Sequence, residues 1–117
     1  AAMKRLNLAE NTFSGSVDLT RLPKGMRNLQ LKKNALSGTL DLTQLPEGFK
    51  VLSLSKNDFE GETDFSALPE SMQSLGVART KLSGTVVARW GLVVTVEKSN
   101  VQWKREKTKR RPRRERS

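Results

Sequence analysis

The chain has 117 residues, of which 35% are hydrophobic and 5% aromatic. That is thin for a globule around one central core and suits repeats that each bury a share of one long core. It contains no cysteine and no histidine, which excludes a disulfide framework, zinc sites of the usual kind, and histidine-based acid–base or triad catalysis. The net charge of +10 is uneven: residues 98–117 hold ten Lys+Arg against two Glu, whereas residues 1–97 are close to neutral at +2. No apolar run approaches the ~20 residues of a membrane span, and no signal-peptide pattern is present. The sequence has no Asn-x-Ser/Thr acceptor either, which leans toward an intracellular (cytoplasmic or nuclear) location.

Met3 lies 23 residues before Met26, so residues 1–5 read as part of a repeat. An uncapped solenoid end exposes its core. The expectation is therefore a fragment of a longer array, or an N-terminal end packed on another chain; the alternative is an imperfect first repeat that frays. From Leu6 the sequence aligns with itself every 23 residues without a gap. Residues 6–28 read LNLAENTFSGSVDLTRLPKGMRN, residues 29–51 LQLKKNALSGTLDLTQLPEGFKV, and residues 52–74 LSLSKNDFEGETDFSALPESMQS. Residues from 75 start as LGVARTKLSGTVV and then lose the pattern.

Each recurring position has a physical reason. Leu6 and Leu8 alternate with polar or small residues at period two, as do Leu29/Leu31, Leu52/Leu54 and Leu75/Val77, so each pair marks a short strand with its apolar side chains inward. Asn11, Asn34 and Asn57 follow where the chain turns inward, and an amide there can bond the backbone of a neighbouring coil. Thr80 replaces them in the fourth repeat. Phe13, Leu36, Phe59 and Leu82 fill the core, and Gly15, Gly38, Gly61 and Gly84 suit a turn with positive φ. The segments SVDLT, TLDLT and ETDFS are expected to be extended. The Leu-Pro pairs at 22–23, 45–46 and 68–69 stop helix or central strand, and Met26, Phe49 and Met72 close the core on a third side.

The shared string LxLxxNx[LF]xGxxD[LF]xxLPxx[MF]xx resembles the leucine-rich-repeat family. Its 23-residue variant is similar to leucine-rich-repeat proteins of kinetoplastid protists. The resemblance runs to about residue 97. It implies an α/β-type repeat architecture, a leucine-rich-repeat solenoid of mostly parallel β strands with turns and 3₁₀ segments on the convex side, coiled right-handed. The domain would span residues 1–103: the partial repeat 1–5, three full repeats, and a degenerate repeat with a C-terminal cap over 75–103. In that cap Val94 and Val96 would supply a last strand, Lys98–Trp103 would fold over the open end, and Trp90 or Trp103 would cover the final coil. The competing reading of this β-branched stretch is an edge strand that binds a partner.

In this family partners often bind the concave face, and the resemblance implies a non-catalytic protein–protein interaction scaffold. The candidate partner-binding residues on that face are Asn7, Glu10, Gln30, Lys32, Lys33, Ser53, Ser55, Lys56 and Arg79. The last column, Glu10, Lys33, Lys56 and Arg79, would stack three cations about 5 Å apart. It reads either as a stripe for an acidic peptide or phosphate-bearing ligand, or as solvated side chains on a polar face. A second column, Asp18, Asp41 and Asp64, reads as turn caps ahead of a Thr or Ser, with cation binding as the other option. The pattern spreads carboxylates and lysines along columns and forms no cleft, so neither catalytic residues nor a cofactor nor a metal is expected.

Residues 104–117 are expected to be disordered alone, since they lack the apolar surface to offset ordering entropy. Lys104, Arg105, Lys107, Lys109, Arg110, Arg111, Arg113, Arg114 and Arg116 form a candidate phosphate-binding tail. This supports an alternative function, a nucleic-acid-associated protein that contacts RNA or DNA through the tail. Nuclear targeting, attraction to anionic lipid and simple solubilisation stay open beside it.

Overall fold

A computed structural model of the chain describes residues 4–87 and 89–104. Every coil contributes one strand to each of two five-stranded parallel sheets. The first sheet stacks β1 (Arg5–Asn7), β3 (Asn28–Gln30), β5 (Val51–Ser53), β7 (Ser74–Gly76) and β9 (Val93–Thr95), in that order. The second stacks β2 (Ser14–Gly15), β4 (Ala35–Gly38), β6 (Asp58–Glu62), β8 (Lys81–Val87) and β10 (Asn100–Lys104). The result is a β-solenoid of five turns. Its one helical element among the described residues is the 3₁₀ turn Leu19–Arg21.

The 23-residue period sets the register directly. Leu6 pairs with Leu29, Leu29 with Leu52 and Leu52 with Leu75, so equivalent side chains fall above one another. The apolar ones point inward and form a single core, with Leu52, Leu54, Phe49, Phe59, Leu75, Leu82 and Val86 fully enclosed. Burial is deepest in the middle coils. Leu6 and Leu8 are half-buried and Phe13 is exposed, because the described residues place a neighbour on only one side of that coil.

The asparagine column works as the sequence suggests. Asn57 is buried; its Nδ2 donates to Leu31 O in the preceding coil at 2.8 Å, and its Oδ1 accepts from Leu36 N at 3.1 Å. Asn34 repeats the pattern one coil earlier with Leu8 O and Phe13 N. In the last two coils the position belongs to Thr80 and Ser99. Each hydroxyl donates within its own coil, Thr80 to Val77 O and Ser99 to Val96 O.

The extended pieces lie earlier in the repeat than expected. β4 and β6 follow Asn34 and Asn57 directly, β8 and β10 follow Thr80 and Ser99, and SVDLT and TLDLT lie outside the strands. The amide bridge to the preceding coil fixes the residues just after it, so pairing starts there. The repeat glycines have positive φ, yet they sit within these strands and not in separate turns. At Gly84 the reason is spatial as well as torsional, since a Cβ there would lie 2.5 Å from the carbonyl oxygen of Thr63.

The C-terminal stretch differs from the expected cap in two respects. Val94 pairs with Leu75, so β9 supplies the extra strand. Lys98–Trp103 do not fold across the end, however. They turn and run as β10, parallel to β8, completing a fifth coil. Trp90 is 90% exposed and Trp103 44% exposed, so neither tryptophan covers the final coil.

The amide ladder gives a direct stability expectation. Asn57→Ala leaves a buried N–H and buried carbonyl groups without partners and should cost about 1–3 kcal/mol in chemical denaturation. Asn11→Ala, at an exposed site whose amide donates only within its own coil, should cost clearly less. Equal losses at both sites would contradict the ladder as the source of inter-coil stability.

Candidate functional site: the outward face of the first sheet

The outward residues of the first sheet fall into four columns. The first is Arg5, Asn28, Val51, Ser74 and Val93; the second is Asn7, Gln30, Ser53, Gly76 and Thr95. Past the strands, the ladder continues through bonds such as Lys56 N to Ala78 O and Arg79 N to Glu97 O, both 2.9 Å. These align Ala9, Lys32, Ser55, Ala78 and Glu97 as a third column. They align Glu10, Lys33, Lys56, Arg79 and Lys98 as a fourth.

This fourth column is conformationally unusual. All five residues adopt the left-handed region, with φ of 59°, 62°, 59°, 57° and 58° in chain order. That conformation lifts the chain out of the sheet toward the asparagine turn. It costs an L-residue roughly 1–2 kcal/mol, and glycine would relieve it. In the four later coils the position carries a cation. Among the described residues the single ion pair is Arg21 with Asp18, so none of these four cations lies within 4.0 Å of a carboxylate.

A shallow hollow of about 260 Å³ opens on this face, lined by residues of the second to fifth coils. It brings together Lys32, Ser53, Ser55, Lys56 and Arg79 from the expected set, and adds Gly76, Thr95 and Glu97. Asn7, Glu10, Gln30 and Lys33 lie outside it. Asn7 Oδ1 accepts from Ala9 N, and Gln30 Nε2 donates to Asn28 Oδ1 at 2.9 Å, so both are engaged locally. Thr95 and Lys98 escape a fixed 23-residue frame because the fifth coil follows the fourth after 19 residues. Reading Val94-x-Val96-x-Lys98-Ser99 against Leu75-x-Val77-x-Arg79-Thr80 would have found them.

A larger hollow, about 690 Å³, lies by the second sheet between Phe65, Leu68, Val87 and Leu92. It marks where the shortened coil lacks a counterpart to the Asp-Phe-x-x-Leu-Pro segment. Arg89 spans it, donating to the carbonyl oxygens of Leu68 and Pro69. Arg89 is taken up by those carbonyls and Asp64 by Ser66, so the first-sheet face is the better candidate.

The aspartate column caps turns. Asp18, Asp41 and Asp64 each accept, through Oδ1, both the backbone N–H and the hydroxyl of the residue two further on: Thr20, Thr43 and Ser66. The hydroxyl bond, followed by the backbone bond, holds each carboxyl below its ordinary pKa. No group of three or more potential metal-ligating side chains occurs among the described residues. No helix there is long and apolar enough to cross a membrane. Of the tail, Lys104 ends β10 and is exposed; Arg105, Lys107, Lys109, Arg110, Arg111, Arg113, Arg114 and Arg116 lie outside the described residues. Comparison of the chain with protein-family models, curated proteins and solved structures gave no match.

The aspartate caps predict an acid limb of instability. Carboxyls with a depressed folded pKa stabilise above the unfolded value, about 3.9, and that contribution disappears as pH falls through the lower folded value. Melting temperature should therefore drop on acidification below about pH 4. Asp41→Asn keeps an acceptor for the turn but no titrating charge, so its melting curve should depend less steeply on pH there. An unchanged slope would detach the caps from acid stability.

Proposed function

We propose that the chain is a leucine-rich-repeat protein, coiled right-handed, that acts as a non-catalytic scaffold. The outward, concave face of its first sheet takes a protein or acidic peptide. One observation carries the reading. Inward positions of the first sheet stay aliphatic from coil to coil (Leu6, Leu29, Leu52, Leu75 and Val94), while outward ones change in character: Asn7, Gln30, Ser53, Gly76 and Thr95 share a single column. The fold needs the repeated residues, and the varied ones are free to differ along the groove as a partner's surface would require. The family resemblance adds an argument from fold, and a fold hosts many functions. Support for the leucine-rich type comes from the LxLxxN string, the stacked parallel strands and the asparagine bridges.

The alternative is nucleic-acid association through the basic tail, which rests on its charge alone. One set of variants separates the two. Affinity capture with crosslinking should retain the same protein partner for the intact chain, for the chain cut after Trp103, and for Lys24→Glu, away from the first sheet. Ser53→Arg with Ser55→Arg should lose it. Binding of a short RNA that falls steeply with salt and vanishes on truncation, with no partner sensitive to the serine changes, would replace the scaffold reading with the tail reading.

A further inference from the structure

We propose that the hollow over Gly76 receives the phosphate group of a phosphorylated, extended peptide. Ser53, Ser55 and Thr95 would supply the hydroxyls, and Lys56 and Arg79 the charge. The proposal rests on the first-sheet face being the docking surface, and it names what that surface selects.

Three observations converge. The first is the missing side chain. A Cβ at position 76 would lie 3.0 Å from Ser55 Oγ, 3.3 Å from Thr95 Oγ1 and 3.7 Å from Ser53 Oγ. Two hydroxyls from the third coil and one from the fifth therefore lie around one point of the fourth, and glycine leaves it open to the outside. Ser55 Oγ already accepts from Ala78 N at 3.1 Å, so its own O–H is available to donate. The site is rich in donors, as phosphate oxygens require.

The second is the cation row. Lys33, Lys56, Arg79 and Lys98 belong to successive coils about 4.8 Å apart, where like charges repel. None has a carboxylate within 4.0 Å among the described residues. Each also holds the left-handed conformation that glycine would adopt with less strain. Glu10 shares the conformation, so the fold sets the backbone here, and it is the unrelieved row of cations in the later coils that an anionic ligand would offset. Glu97 sits on the rim, yet Lys32, Lys56 and Arg79 leave the lining positive. A dianion gains more from that surplus than a carboxylate does.

The third observation favours peptide over nucleic acid. No aromatic side chain occurs in the four outward columns, so the face offers no aromatic platform on which successive bases would stack. A peptide running along the solenoid axis as a polyproline-II helix rises about 9 Å in three residues and returns its side chain to the same face, close to the height of two coils. Phosphates three residues apart would thus reach both Lys56 and Lys98.

The test is an NMR titration of the full ¹⁵N-labelled chain with a short Gly/Ala peptide bearing two phosphoserines three residues apart, and with its unphosphorylated serine form. The phosphorylated peptide should bind at least about tenfold more tightly, as two charge-assisted contacts allow. The amides of Ser55, Gly76 and Arg79 should shift. Lys56→Gly and Arg79→Gly should each weaken binding about fivefold, the loss of one such contact, while melting temperature holds or rises. Gly76→Val should abolish the preference for phosphate, and retained melting would show that it folds. Equal affinity for both peptides at the same amides would sink the phosphate site and leave the scaffold standing. Shifts confined to residues from Lys104 onward, or no binding of either peptide, would also overturn it.

Discussion

The structure depends on one constraint: a coil of this solenoid cannot satisfy its own backbone. A parallel strand takes its hydrogen bonds from the strands above and below, and the bend after each first-sheet strand leaves further polar groups facing inward. The side chain of Asn57 meets that need by bridging Leu31 O and Leu36 N of the preceding coil. Burial follows from this stacking. Phe59 is fully enclosed because coils lie on both sides of it, and Phe13, its equivalent two coils earlier, is exposed. Stability in such an array is a sum of neighbour terms, and the middle of the chain holds most of it.

The same bend explains the charged column. The chain must leave the sheet through a left-handed residue to bring the asparagine inward, and that requirement recurs in all five coils. Because Glu10, Lys33, Lys56 and Arg79 are pinned by N–H bonds to the next coil, their side chains are held in a row at the edge of the outward face. A fold requirement thereby places cations in register without any direct contact between them.

The ending of the array shows how tolerant the architecture is. Four residues are lost between the fourth and fifth first-sheet strands, and the loss falls on the side away from the first sheet. There Leu92 N bonds Arg89 O as Met72 N bonds Pro69 O in a full repeat. The first sheet continues unbroken through β9, and the second through β10. The hydroxyls of Thr80 and Ser99 take over the asparagine's role within each coil but do not bridge coils, since a hydroxyl is too short to reach the preceding backbone.

The sequence by itself determined the coil length, the inward leucines, the asparagine bridges and the aspartate turn caps. Each depends on local chemistry repeated at fixed spacing, so one repeat explains the next. It also indicated the outward residues of the first four coils, since alternation settles which side of a strand a residue takes. Only the tertiary structure decided that the second sheet starts immediately after the asparagine, and that Lys98–Trp103 stack as a fifth coil. It alone brought Thr95, four residues out of frame, beside Ser53, Ser55 and Gly76. Those outcomes depend on register between coils of unequal length. That register is set by backbone pairing across the stack, and a fixed period in the sequence carries no record of it once the period changes.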